Sequence, residues 1–163
     1  MNQRLPLLAI LLGIAGLIPF VVCGLGAIVV NPARAQAMLW GLMGYGAVVL
    51  SFLGAVHWGF ALGQPEGGLA QSARAERLRL TLGVIPALVG WAALFSTLAL
   101  PSWIGLCLLI GGFIGTAITE HRATRHGLVP LRYMWMRWGL TAVVVAMLVT
   151  VLTLRVLGQR TGF

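Results

Sequence analysis

Between Leu5 and Leu157 the chain is a succession of long apolar runs, with charged residues almost confined to the short segments between them. About 20 consecutive apolar residues carry a helix across a hydrocarbon core of about 30 Å. Inside that core every backbone N–H and C=O must be bonded within the structure, and an α-helix does this segment by segment. The composition agrees: 60% of residues are hydrophobic and 9% charged, with a mean hydropathy of +0.98. Soluble domains carry about 25% charged residues.

The runs predict an all-α integral membrane protein, a bundle of five transmembrane helices over about 5–30, 36–62, 79–98, 103–119 and 137–157. A cleaved signal peptide is the rival reading of the first run, since Ala33-Arg34-Ala35 imitates a cleavage site. The run is about 26 residues long, whereas a signal core spans about 7–15, so it reads as a retained helix. Pro19 within it should kink the helix and free a carbonyl for a neighbouring helix to satisfy. Breakers punctuate the rest: Asn31-Pro32, the Gly63 to Gly68 cluster followed by Ser72 as an N-cap, and Leu100-Pro101-Ser102. The segment from Glu120 to Met136 reads as a polar, arginine-rich, aromatic connection.

All 11 cationic side chains are arginine, and the net charge is +8. In a soluble chain that balance would suggest nucleic acid. Here the arginines sit beside apolar runs, where topology and anionic lipid headgroups account for them. The amino tail and the second and fourth connections hold eight of the 11, including Arg74, Arg77, Arg79, Arg122 and Arg137, against Arg34, Arg155 and Arg160 on the other side. Cationic residues concentrate on the cytoplasmic side, so the amino terminus is expected there and the carboxyl terminus outside. Arg155 should snorkel to the nearer interface. Cys23 and Cys107 fall in apolar runs and read as small hydrophobes.

Candidate chemistry gathers at the expected cytoplasmic end. His57 lies about five residues before the end of the second helix, on a face shared with Gly46, Leu50, Gly54 and Ala61. Trp58, Glu120, His121, His126, Tyr133 and Arg137 belong to the same half, so an interfacial cluster is conceivable. Ionisable groups within spans are functional candidates by default. The blander reading is a neutral imidazole bonded to a neighbouring helix or water, with Tyr133, Trp135 and Trp138 forming an aromatic belt. No cofactor follows from the residues. A haem or a quinone is what a His57/Glu120 site would take, but the spacing of His121 and His126 suits no metal. Gly54 and the pair Gly111 and Gly115 read as an internal helix-packing face, because small residues four apart let backbones approach.

Leu12 to Phe20, LGIAGLIPF, and Tyr45 to Gly59, YGAVVLSFLGAVHWG, resemble the hallmark segments of the transmembrane-protein-69-like family, a domain of unknown function (3429) found in proteobacteria and mitochondria. Ile85-Pro86 with Gly90-Trp91, and Tyr133 with Arg137 and Leu140-Thr141, are similar to its later motifs. Glu120 stands where the family pattern leads one to expect aspartate. The resemblance implies a helical bundle in an inner membrane and brings no activity with it. The residues themselves favour a non-catalytic accessory or assembly partner of a larger membrane complex, or a homo-oligomer. A small-molecule site at His57 and Glu120 is the alternative, and a small transporter comes third.

Overall fold

The structure, a computed structural model, describes residues 7–62, 73–124 and 131–161. These form six α-helices: α1 (Leu7–Ala15), α2 (Ile18–Val29), α3 (Pro32–Leu62), α4 (Ala73–Ser96), α5 (Ser102–Thr124) and α6 (Leu131–Thr161). Stretches Ile10–Val29, Pro32–Val56, Ser102–Arg122 and Met134–Gly158 are long and apolar enough to cross a membrane, and α4 contributes a shorter apolar stretch, Leu80–Ser96. The Gly63 to Gly68 breakers, Ser72 and His126 lie outside the described residues, as do the side chains of His57 and Tyr133.

Helices α2 to α6 pack in chain order as a ring that closes between α6 and α2, and α3 meets α5 across its middle. Phe20, Leu39, Met43, Leu50, Phe113 and Leu148 fill the centre. Phe20 stands edge-on to both Tyr45 and Phe113, with ring centroids 5.1 and 5.9 Å apart. Lipid tails are as apolar as leucine, so close packing rather than escape from water holds such a core together.

The first apolar run breaks at Gly16-Leu17, three residues before Pro19, which has no N–H for the preceding turn. The Tyr45 hydroxyl donates to the Gly16 carbonyl at 3.0 Å, so α3 supplies the bond that the break leaves open. Tyr45→Phe should therefore lower stability by about 0.5–1.5 kcal/mol, read as a lower unfolding midpoint in detergent. An unchanged midpoint would mean that the hydroxyl is replaceable.

Three helix boundaries differ from expectation. Helix α3 begins at Pro32 rather than near Gln36, because Asn31 Oδ1 accepts from the Arg34 N–H at 3.1 Å and proline suits a first helical position. The segment from Glu120 to Met136 is not a connection throughout: α5 runs on through Glu120 to Thr124, and α6 already begins at Leu131. Arg155, near the far end of α6, donates to Gln36 Oε1 at 3.1 Å and to the Ala35 carbonyl at 3.4 Å, tying α6 to the start of α3.

Candidate functional site

Four polar residues are buried among the described residues: Thr116 and Glu120 on α5, Arg137 and Thr141 on α6. On each helix the two are four residues apart, so they share one face. The helices run antiparallel, which sets Glu120 against Arg137. The guanidinium Nε donates to Glu120 Oε2 at 2.8 Å, and Nη1 donates to Thr141 Oγ1 at 2.8 Å. Glu120 is 4% exposed and Arg137 5%. Arg137 Nη2 is buried and has no hydrogen-bond partner among the described residues. Thr116 turns its hydroxyl to its own helix, bonding the Gly112 and Phe113 carbonyls.

The pair lies inside the apolar stretches of both helices. A lone charge there would be costly, whereas two opposite charges in hydrogen-bonding contact offset much of each other's desolvation. The charges that suggested a loop are thus placed within helices because they neutralise each other.

The other expected members of the cluster part company. His121 is exposed and meets Trp138 edge-on, with ring centroids 6.2 Å apart. Trp58 turns to α4, where its indole Nε1 donates to the Leu80 carbonyl at 3.0 Å. His57 and Tyr133 lie within α3 and α6. Among the described residues no three of His, Cys, Asp and Glu converge as metal ligands would.

The Trp58 bond belongs to a seam of small residues between α3 and α4. A Cβ on Gly54 would lie 2.1 Å from the Gly83 carbonyl oxygen, and one on Gly83 would lie 2.3 Å from Trp58 Cδ1. One on Gly90 would lie 3.0 Å from the Ala47 backbone. Ala47 and Gly54 are seven residues apart, as are Gly83 and Gly90, so both helices present a small residue every two turns. Gly54 is a packing glycine, and sequence reasoning missed its partner Gly83 and the matching pair of Ala47 with Gly90, for which that seven-residue spacing was the available signal.

Gly111 and Gly115 require a correction, because they do not form an internal packing face. A Cβ on either would meet no described atom within 4 Å, whereas one on their neighbour Gly112 would lie 2.6 Å from Leu50 Cδ2. Gly111 and Gly115 instead floor a cleft of about 370 Å³ between α4 and α5, walled by Leu82, Ile85, Pro86 and Val89. Counting from Gly111 at four-residue steps chooses the right helix but the wrong face.

Long apolar helices, a ring of close packing and a charge pair neutralised inside it define an all-helical, multi-pass membrane protein. The chain belongs to the family described as protein of unknown function DUF3429, which matches residues 5–153. It is 42% identical to Transmembrane protein 69 of Xenopus tropicalis over 86 residues, which cover 53% of this chain and 32% of that protein. It is 35% identical to Transmembrane protein 69 of Mus musculus over 86 residues, covering 53% of this chain and 33% of that one. The match thus spans about a third of the length of these relatives. No solved structure matches.

Proposed function

We propose that this chain is a non-catalytic accessory or assembly subunit of a larger complex in a bacterial inner membrane. In this reading it crosses five times, with α4 as the third span and the amino terminus cytoplasmic. The apolar stretch of α4 has 17 residues, about 25 Å of helix, at the short end of what spans a bilayer. The asymmetric arginines supply the orientation.

The observation that carries the reading is a motif facing away from the bundle on two helices. On α3, Trp40, Gly44 and Val48 follow one another at four-residue spacing, and on α6 Trp135, Gly139 and Val143 do the same. All four large side chains are exposed, and a Cβ on Gly44 or Gly139 would meet no described atom within 4 Å. Glycine inside a helix costs about 0.5–1 kcal/mol relative to alanine, and no described residue uses the room it leaves. A helix from another subunit would.

The test is the native mass of the protein extracted from its own membranes in mild detergent. A particle far heavier than 17.3 kDa plus detergent is expected, and Gly44→Leu with Gly139→Leu should release the chain from it without lowering its unfolding midpoint. A wild-type chain that migrates alone would refute the reading.

A second reading, binding of a quinone, haem or lipid-derived molecule near His57 and Glu120, is favoured by one observation, an ion pair buried within spanning stretches. It requires that His57→Ala abolish function in cells while leaving the native particle intact.

A further inference from the structure

We propose that the cleft between α4 and α5 is a binding site for an anionic phospholipid, with one acyl chain in the cleft and the phosphate at Arg122. The cleft is apolar, walled by Leu82, Ile85, Pro86 and Val89 of α4 and by Leu108, Gly111 and Gly115 of α5. It narrows toward the connection between the two helices. There a Cβ on Gly105 would lie 2.5 Å from the Ala93 carbonyl oxygen, and deeper in, one on Gly112 would lie 3.0 Å from Val89 Cγ1. On the outward side of α5, Gly111 and Gly115 have no described atom over them.

Shape selects the occupant. The lining on α5 runs from Cys107 to Thr119, about 18 Å of helix axis, close to the depth of one leaflet of a core about 30 Å thick. That lining is shorter than the Ser102–Arg122 span, and an acyl chain entering beside Arg122 would lie along it.

Charge lies where such a lipid would need it. Leu108, Gly111, Gly115 and Thr119 follow one face of α5, and Arg122, three residues beyond Thr119, continues that face and is exposed. In the sequence the first turns of α4 carry Arg74, Glu76, Arg77 and Arg79, a net basic segment. Arg122 thus stands beyond the end of the cleft that faces away from the connection between α4 and α5, and among the described residues no acidic side chain lines the cleft. Arginine pairs with phosphate through parallel N–H donors, and basic residues beside a membrane surface attract anionic lipid.

The glycine floor makes the test clean. The full chain, delipidated in mild detergent, is titrated with dioleoyl-phosphatidylglycerol or dioleoyl-phosphatidylcholine, and bound lipids are counted by native mass spectrometry. The wild type should retain one phosphatidylglycerol at least tenfold better than phosphatidylcholine. Gly111→Leu with Gly115→Leu puts side chains into the cleft from positions where an added Cβ meets no described atom within 4 Å, so it should lose that lipid at an unchanged unfolding midpoint. Arg122→Gln should lose most of the preference for the anionic headgroup while still binding both lipids weakly. Equal retention of the two lipids by the wild type, or undiminished phosphatidylglycerol on the filled variant, would overturn the proposal. So would a protein or second copy that leaves on filling, which would make the cleft a helix site. The glycines tested for subunit contact lie on α3 and α6, so the two readings fail independently.

Discussion

Arg137→Met should lower the stability of the bundle by about 3–5 kcal/mol, the usual cost of removing one partner from a buried ion pair. The reason is the position of Glu120. Its carboxylate is 4% exposed and receives the Arg137 Nε at 2.8 Å. Without the guanidinium the buried carboxylate loses its opposite charge, and breaking one side of such a pair lowers stability. Methionine retains most of the side-chain length, so lost packing contributes little.

A double variant separates the pair's contribution from the cost of breaking it. Replacing a buried ion pair by well-packed apolar residues is often neutral or stabilising, so Glu120→Leu combined with Arg137→Met should recover most of what Arg137→Met loses. Denaturant unfolding in mixed micelles, followed by tryptophan fluorescence, measures both. A stable single variant would show that water reaches the pair. A double variant as weak as the single would show that the carboxylate is not what penalises the loss of Arg137, and that Thr141 and the rest of the network matter more. If the recovered double variant fails in cells, the pair is kept for function rather than for folding.

The legible part of this fold was its apolar length. Runs of about 20 residues dictate spanning helices wherever they occur, and Pro19 announced a break whose open carbonyl, that of Gly16, is met by Tyr45. Pairing between helices was much less legible. Glu120 read as the start of a connection and Arg137 as the first residue of the fifth span because each is costly in lipid alone, and only their antiparallel register sets them together inside the bundle. The clue was local: Thr116 stands four residues before Glu120, and Thr141 four after Arg137, an arrangement that gives each helix one polar face. Trp58 and His121, expected in the same cluster, share an end of the bundle but not a face. Equal depth along the membrane says nothing about direction around a helix, and so Trp58 turns to α4 while His121 turns outward.

Glycine poses the same difficulty, and it leads to the second large effect. Gly54→Ala should destabilise the protein by about 3 kcal/mol, at the upper end of ordinary overpacking. A methyl there would lie 2.1 Å from the Gly83 carbonyl oxygen, with the Gly83 carbonyl carbon at 3.2 Å. Those are main-chain atoms of a packed helix, so relief requires α3 and α4 to separate along the seam that also holds Ala47 against Gly90. Gly83→Ala should cost less, about 1–2 kcal/mol, because its nearest obstacle is the Trp58 ring, which can swing aside by giving up its bond to the Leu80 carbonyl. Tryptophan emission would register that movement in the Gly83 variant as a shift in wavelength. Gly111→Ala, with no described atom near its added methyl, should stay within about 0.5 kcal/mol of wild type. The decisive quantity is therefore the order of the three midpoints. If Gly111→Ala proved as harmful as Gly54→Ala, something other than the described residues would have to occupy the space over Gly111.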